Sequence, residues 1–330
     1  MMLHPLRGLT LAATLCLGSP VIAQTAPVTD INFGLISTES TQNLKKAWAP
    51  LLEDFAKRTG IKTNAFFASD YAGVIEAMRF NKVQVAWFGN KSAMEAVDRA
   101  SGEVFVQTIA DDGAPGYWSL LVVHRDSPLQ NLQDVLKNAK GLTLGYGDPN
   151  STSGFLVPGY YAFAQNNTDP RTAFKLVRSA NHETNLIAVA NKQVDVATNN
   201  TESLDRLRKT NPQKAAELRE IWRSPLIPSD PIVWRKDLHE EAKAKVKAFF
   251  VAYGTGADAA REKAILKEIG LGGFQPSDDR QLLPIRQLDL FREKRRLEAD
   301  TTMPAADRSA KIAAIDQRLA ALNAQLAAAK

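Results

Sequence analysis

The segment Gly141-Leu-Thr-Leu-Gly-Tyr-Gly-Asp-Pro-Asn-Ser-Thr-Ser-Gly-Phe155 joins a short apolar run to three consecutive hydroxyl residues. Residues 141–145 predict a β-strand, and the Leu, Val, Tyr and Phe side chains of residues 155–165 can line one face of a helix. A strand that enters a helix through a polar turn is the repeating unit of an α/β fold.

The same turn is suited to binding an anion. The first turn of a helix has unpaired backbone N–H groups and a partial positive charge. A tetrahedral oxyanion can therefore take backbone donors and Ser or Thr hydroxyls from one short segment. Ser151 or Thr152 could instead simply cap the helix, as Ser and Thr commonly do. Both interpretations stay open from this segment alone.

The N-terminal residues have the composition of an export signal. Arg7 precedes an apolar run at 9–17, and Val21-Ile22-Ala23 offers a small-residue cleavage site. This pattern predicts a secretory signal peptide over residues 1–23, too short in its apolar part to span a membrane. We expect the mature chain to start near Gln24 and to reside in the periplasm. Of the 330 residues, 45% are hydrophobic, so the chain can build two ordinary domains.

The only cysteine, Cys16, lies within that predicted signal, and Leu15 argues against lipoprotein processing there. A mature chain without cysteine has no disulfide, no thiol catalysis and no cysteine metal site. We expect no metal and no cofactor.

The charge balance is mild. The chain has 41 Lys and Arg against 36 Asp and Glu, and removal of Arg7 leaves 40 against 36, a net charge of +4. The basic residues are scattered, locally dense only at 292–296, and form no stripe with aromatic residues. We therefore expect no nucleic-acid partner.

Strand-like and helix-like segments alternate along the mature chain. The predicted strands are 30–36, 63–67, 83–88, 104–109, 118–123, 142–144, 174–177, 194–197 and 232–234. A helical pattern with apolar residues at 44–55 follows Ser37-Thr38-Glu39-Ser40 and ends at Gly60, and a second helix is predicted at 71–80. This alternation predicts parallel strands with helices on both faces of each sheet, and ligands at the carboxyl ends of the strands.

The predicted architecture is a two-lobed α/β fold with mixed sheets and a ligand cleft between the lobes. Lobe 1 would comprise residues 24–112 and 231–290, and lobe 2 residues 113–230, with a helical tail at 291–330. Two crossings between discontinuous lobes let a hinge close the cleft over a ligand.

Five further polar or aromatic residues lie at predicted turns: Tyr71, Tyr117, His182, Glu202 and Asp230. Each has an ordinary structural explanation when taken singly. The tyrosines can pack, the histidine can cap a helix, the glutamate can favour a helix dipole, and the aspartate fits a turn.

The sequence segments that contain these residues match the pattern of a known protein family. The matching runs are Asp70-Tyr-Ala-Gly-Val-Ile-Glu76, Gly116-Tyr-Trp-Ser119, Gly147-Asp-Pro-Asn-Ser-Thr-Ser-Gly-Phe155, His182-Glu-Thr184, Val194-Asp-Val-Ala-Thr-Asn-Asn-Thr-Glu202 and Asp230-Pro-Ile-Val-Trp234. Through them the chain resembles, from Ile31 to about Arg286, the phosphonate-binding proteins of bacterial ABC transporters. Two departures are Phe88, where that family would have Tyr, and the loop 166–171.

The resemblance implies the type II periplasmic binding-protein fold and a binding role without catalysis, with a permease and an ATPase as partners. It also implies that Ser151, Thr152, Ser153 and His182 hold the phosphonate oxygens. Tyr71 and Tyr117 would close on the ligand from the other lobe. Glu202 and Asp230 would face an ammonium group.

The implied site has a distinctive charge pattern. A phosphonate offers three acceptor oxygens, which suit hydroxyls, backbone N–H groups and a histidine. No arginine is in the matched set, so helix dipoles and His182, if protonated, must balance the charge. Two carboxylates near an anion favour a zwitterion such as 2-aminoethylphosphonate over phosphate or phosphite.

Two functions other than ligand binding for transport are considered from the same residues. A hydrolase could use Ser151 as nucleophile and His182 as base, but no third orienting group and no Gly-x-Ser-x-Gly, His-Glu-x-x-His or P-loop motif is present. A ligand-sensing module of the same fold is the other alternative.

The C-terminal tail contains a heptad stripe formed by Ile312, Ile315, Leu319, Leu322 and Leu326. A monomer must cover these side chains by packing the helix on its own lobe, or two copies must share them. The sequence leaves both open, and we predict a homodimer through this helix.

Overall fold

The structure is a computed structural model that describes residues 28–328. The predicted signal peptide, residues 1–23, lies outside the described residues. Each of two lobes is built on its own β-sheet with helices packed against it. Within residues 28–328, no helix is both long and apolar enough to cross a membrane.

The strands of the described chain are β1 Asp30–Leu35, β2 Lys62–Phe67, β3 Val85–Trp87, β4 Gly102–Ala110, β5 Gly116–Tyr117, β6 Ser119–His124, β7 Thr143–Tyr146, β8 Leu176–Ser179, β9 Val196–Asn200, β10 Leu218–Arg223, β11 Ile227–Pro228, β12 Pro231–Arg235 and β13 Leu271–Pro276. Each of the predicted strands overlaps one of these. The prediction missed the edge strands β10 and β13 and the short β5 and β11.

The α-helices are α1 Thr41–Thr59, α2 Tyr71–Arg79, α3 Asn90–Arg99, α4 Leu132–Asn138, α5 Pro170–Ala173, α6 His182–Ala190, α7 Thr201–Thr210, α8 Pro212–Ala216, α9 Glu240–Ala252, α10 Ala259–Glu268, α11 Leu283–Ala299 and α12 Ala305–Ala328. Helix α1 shows how local sequence sets these bounds. The Ser40 hydroxyl caps its start by accepting from Asn43 N, and Gly60 ends it in the left-handed conformation that glycine favours.

The sheet of lobe 1 has the strand order β13-β4-β12-β3-β1-β2. β1 pairs in parallel with β2 and β3, whereas β12 and β13 pair antiparallel with their neighbours. Ile31, Phe33 and Leu35 of β1 are all fully buried, which places this strand in the core. The sheet is therefore mixed, because the chain returns from lobe 2 through β12 in the opposite direction.

The sheet of lobe 2 has the order β10-β6-β9-β7-β8. β7 pairs in parallel with β8 and β9, and β6 pairs antiparallel with β9 and β10. The two-lobed α/β fold with mixed sheets is thus confirmed.

The two crossings between the sheets run side by side as the pair β5 and β11, with Tyr117 opposite Ile227 and Gly116 opposite Pro228. A Cβ atom on Gly116 would lie 1.9 Å from the Ile227 carbonyl oxygen, so only glycine fits there. All strands of one sheet lie within residues 30–110 and 231–276, and those of the other within 119–223. The predicted lobe boundaries, as limits of rigid units, remain a prediction.

The tail forms a helical hairpin with α11. Gln287 bonds Asn323 and Lys294 pairs with Asp316, so α12 runs antiparallel to α11. The heptad stripe is covered within the chain: Ile315, Leu319 and Leu322 are buried against Leu283, Leu290 and Leu297, and Ile312 and Leu326 flank this cluster. The structure shows the intramolecular packing, and the homodimer stays a prediction.

Candidate functional site

The predicted hydroxyl turn is the start of a helical segment with wide, π-type turns over Thr152–Leu156. Ser151 is its N-cap, and its hydroxyl oxygen accepts from Gly154 N at 2.9 Å. Leu156 N donates to Ser151 O, one residue further along than in an α-helix. Capping and anion binding are therefore compatible at this turn, because the cap leaves Ser153 and the first N–H groups free to face a cavity.

Other helices begin at the same place. From lobe 2, α6 starts at His182 and α7 is capped by Asn200; from lobe 1, α2 starts at Tyr71 and α3 is preceded by Gly89. These residues line one cavity together with Ser151. Several helix N-termini thus bring their partial positive charges to one point, which favours an anion there.

We call this space the hydroxyl cavity. It is lined by all eight residues singled out from the sequence: Tyr71, Tyr117, Ser151, Thr152, Ser153, His182, Glu202 and Asp230. They come from both lobes and from the crossing between them. Their roles toward a ligand remain predictions, but their convergence is a feature of the fold.

The His182 ring lies beside the serine hydroxyl groups of the turn. Its Nε2 lies 3.4 Å from Ser151 Oγ and 3.5 Å from Ser153 Oγ, while Asn200 Nδ2 donates to Ser153 Oγ at 2.9 Å. Burial, helped by the positive charge of Arg206, lowers the pKa of His182 to about 3. The ring is therefore neutral at physiological pH, and helix dipoles rather than an imidazolium must balance a bound anion.

The His182 ring also bears on the hydrolase alternative. Within the described chain, its Nδ1 has no hydrogen-bond partner. A histidine that activates a serine is normally oriented at that atom by a third group. Ser151 and His182 are neighbours, but no such orienting group is placed here.

Of the two tyrosines, Tyr71 lies in the lobe that the resemblance implied and Tyr117 does not. Tyr71 belongs to lobe 1, where its backbone N–H donates to Asp148 Oδ2 of lobe 2 at 3.2 Å. Tyr117 lies on the crossing strand β5, not in the opposite lobe, and its hydroxyl donates to Asp230 Oδ1 at 2.9 Å. Burial and nearby carboxylates raise both tyrosine pKa values, so both hydroxyls stay protonated.

One carboxylate faces the cavity from lobe 2 and the other from the end of the crossing that leads into lobe 1. Glu202 is in the first turn of α7, and Asp230 immediately precedes β12. Asp230 is only 6% exposed. Burial, reinforced by the negative charge of Glu202, raises the Asp230 pKa well above its usual value. Burial also raises the pKa of Glu202, and Arg206 opposes that effect.

Sequence reasoning missed three residues that line this cavity with donor groups, Thr38, Asn200 and Arg206. Arg206 follows Glu202 by one helical turn and forms an ion pair with Glu39 of lobe 1. The Glu-Arg spacing of four residues was the available signal for Arg206. Asn200 is the last residue of β9 and caps α7, and its position alone indicates only a turn and a helix cap.

A second cavity adjoins the first and shares Thr38, Trp87, Glu202, Arg206 and Asp230 with it. We call it the indole cavity, since Trp48 and Trp87 line it along with Leu44, Ala47, Ile269 and Leu271. The two indole rings lie 5.2 Å apart, and Trp48 also packs on Phe33 of the core. Thr38, Glu39, Thr108 and Arg206 also line the indole cavity, so the carboxylate pair lies between the polar hydroxyl cavity and a space of mixed aromatic, aliphatic and polar side chains.

The lobes touch across the cleft. Thr152 Oγ1 accepts from Lys91 N at 2.8 Å, at the start of α3. Glu183 Oε2 accepts from Ser40 N at 2.7 Å, and its Oε1 accepts from Asn43 Nδ2 at 2.6 Å. These contacts join residues of opposite lobes, so the arrangement is a closed one.

No group of three or more His, Cys, Asp or Glu residues that could hold a metal ion occurs between residues 28 and 328. Of the two departures noted in the sequence, Phe88 is fully buried in the core of lobe 1 and does not line either cavity.

Two α/β lobes that meet over a shared cavity, joined by paired crossings, define a periplasmic binding protein of type II. A family model described as "ABC transporter, phosphonate, periplasmic substrate-binding protein" matches residues 33–282. The chain belongs to this family, and it is the phosphonate-binding component of an ABC transporter.

Individual relatives agree. The phosphonates-binding periplasmic protein of Escherichia coli K12 is 58% identical over 289 residues, which cover 88% of this chain and 84% of that protein. A phosphate-import protein of Mycolicibacterium smegmatis is 30% identical over 253 residues, covering 73% and 78%. A binding-protein component of a phosphonate ABC transporter from Pseudomonas aeruginosa superposes with a TM-score of 0.88 at 55% identity, covering 91% of this chain and 99% of that one. These relatives are binding proteins, so the prediction that the chain is not an enzyme is confirmed.

Proposed function

We propose that this protein is exported by its N-terminal signal, captures 2-aminoethylphosphonate and related aminoalkylphosphonates in the periplasm, and delivers them to an ABC permease and ATPase. The observation that carries the proposal is that Glu202 and Asp230 line the same closed cavity as the Ser151–Ser153 turn and His182. One end of the cavity suits an anion, and the other suits a cation.

The geometry supports one orientation of such a ligand. Its phosphonate oxygens would take the hydroxyl, amide and backbone donors at the helix starts, while Tyr71 closes over them from lobe 1. Its ammonium would lie between Glu202 of lobe 2 and Asp230 beside the crossing. A ligand held in this way bridges both lobes, and so it favours closure.

The carboxylate pair also argues against inorganic anions. Phosphate and phosphite carry no cation, so they would add negative charge near Glu202 and the buried Asp230 without supplying a counter-ion to either. The relative from M. smegmatis carries a name that refers to phosphate import. Phosphate is therefore the competing ligand that the test must include.

Calorimetric titration of the mature protein with four ligands tests the proposal: 2-aminoethylphosphonate, ethylphosphonate, phosphate and phosphite. The aminated ligand should bind most tightly, and loss of the amine should weaken binding roughly ten- to a hundredfold, the effect of losing one hydrogen-bonded charge pair. Equal or tighter binding of ethylphosphonate or phosphate would show that the zwitterion argument is wrong.

Substitutions of Glu202 and Asp230 test whether these two carboxylates cause the preference for the aminated ligand. Glu202→Gln and Asp230→Asn should weaken the aminated ligand and spare ethylphosphonate. Asp205→Asn is the matched control, since Asp205 is an exposed carboxylate on the same helix that pairs with Arg208 and lines neither cavity. It should leave the ratio of the two affinities unchanged.

A further inference from the structure

The ligand space does not end at the carboxylate pair. Glu202 and Asp230 line both the hydroxyl cavity and the indole cavity. A 2-aminoethylphosphonate held at the hydroxyl turn would place its nitrogen at this junction. The indole cavity beyond it would then be open to groups attached to that nitrogen.

The aromatic and aliphatic part of the indole-cavity wall suits such groups better than it suits water. Leu44, Ile269 and Leu271 are buried aliphatic side chains, and Trp48 and Trp87 are 3% and 6% exposed. Aromatic faces attract cations that carry methyl groups, since the charge is retained and the methyl groups make dispersion contacts. A primary ammonium has no methyl group, so it can present only N–H groups to the indole cavity and makes no such dispersion contacts.

We propose that the indole cavity accepts N-alkyl substituents, so that the ligands of this protein include N-methylated aminoalkylphosphonates. This inference rests on the proposed function, because it takes the nitrogen position from the carboxylate pair. A secondary ammonium keeps two N–H donors, one for each of Glu202 and Asp230. Its methyl group enters the apolar space.

The same geometry excludes a longer carbon chain as the favoured occupant. A 3-aminopropylphosphonate anchored at the hydroxyl turn would carry its nitrogen past the carboxylates and against Leu44 and Leu271. An ammonium there would move away from Glu202 and Asp230, and the remaining carboxylate that lines the indole cavity, Glu39, is already paired with Arg206. N-methylation and chain extension, which add the same number of carbon atoms, should therefore have opposite consequences.

The test is calorimetry on the mature protein with 2-aminoethylphosphonate, its N-methyl derivative and 3-aminopropylphosphonate. We expect N-methylation to change the affinity less than tenfold and chain extension to weaken binding more than N-methylation does. A loss of tenfold or more on N-methylation overturns the inference while leaving the proposed function standing. Failure of 2-aminoethylphosphonate itself to bind overturns both, so the two failures are distinguishable.

A substitution that fills the indole cavity gives an independent readout. Ala47 lines it from α1, and Ala47→Leu adds three carbon atoms at a helical position. This variant should weaken the N-methyl ligand at least tenfold and the parent ligand less than threefold. Ala49→Leu is the matched control, since Ala49 is half-buried on the same helix and lines neither cavity. An equal response of both ligands to Ala47→Leu contradicts the inference.

Discussion

Removal of the Glu183 side chain should weaken the binding of every ligand by the same factor. Glu183 projects from α6 of lobe 2 to the start of α1 in lobe 1, where it accepts hydrogen bonds from Ser40 N at 2.7 Å and Asn43 Nδ2 at 2.6 Å. Its carboxylate also lies at the positive end of the α1 dipole. These interactions exist only while the lobes are in contact, so their loss destabilises the closed state alone.

The magnitude follows from the bonds. Hydrogen bonds to a charged group contribute ~1.5–3 kcal/mol when buried. Glu183 is half-buried, so water recovers part of this energy and we expect a loss of ~1–2 kcal/mol in total from Glu183→Ala. If the empty protein is mainly open, that loss raises the apparent Kd roughly five- to thirtyfold.

The assay is calorimetric titration of Glu183→Ala with 2-aminoethylphosphonate and with ethylphosphonate, alongside small-angle scattering of the liganded protein. Glu220→Ala is the control, because Glu220 is also half-buried in lobe 2 but pairs with Arg223 of the same lobe. Because Glu183 lines neither cavity, the two ligands should weaken equally. An unchanged Kd, or a change confined to one ligand, would refute the closure argument.

Three further predictions concern the site itself. Thr152→Ala should weaken all ligands roughly ten- to a hundredfold in titration, because its hydroxyl serves the anion turn and also accepts from Lys91 N across the cleft, whereas Thr152→Ser should retain most of the affinity. Asp230→Asn should raise the melting temperature of the empty protein at neutral pH by about 2–4 °C for each kcal/mol gained, since the ionised carboxylate is buried, and calorimetric scanning checks this. Between pH 8 and pH 5, the affinity for 2-aminoethylphosphonate relative to ethylphosphonate should fall, because the ammonium favours the ionised carboxylates and binding therefore releases protons from groups with raised pKa values. A constant ratio across that range would contradict the coupling.

Much of the fold could be predicted because its strands carry their own signals. β1 alternates buried and less buried residues and enters α1 through a serine cap, and both bounds of that helix followed from local chemistry. β13 was missed because it contains two adjacent glycines and a proline, which indicate a loop when read alone. Its pairing with β4 compensates for that weak local preference, and the sequence of β13 does not display the pairing.

Part of the candidate site could be predicted from the sequence, and part could not. The residues at helix starts could be predicted, since a strand followed by a polar turn marks the carboxyl edge of a sheet. Arg206 could not be assigned because its partner Glu39 belongs to the other lobe, and only closure brings the two together. The indole cavity was missed for the same reason. Trp48 and Trp87 are ordinary core aromatics in their own segments, and they become cavity walls only opposite Glu202.

The charges of the site explain why a zwitterion should control closure. In the closed structure His182 is neutral, and Asp230 and Glu202 are held where ionisation is unfavourable. An empty closed cleft therefore keeps two mutually repelling carboxylates close to the converging helix N-termini. An aminoalkylphosphonate supplies a cation to the carboxylates and an anion to the helix N-termini in one molecule. A simple anion supplies a charge only to the helix N-termini and adds to the repulsion at the carboxylates. It therefore stabilises the closed state less, even where its head group fits equally well.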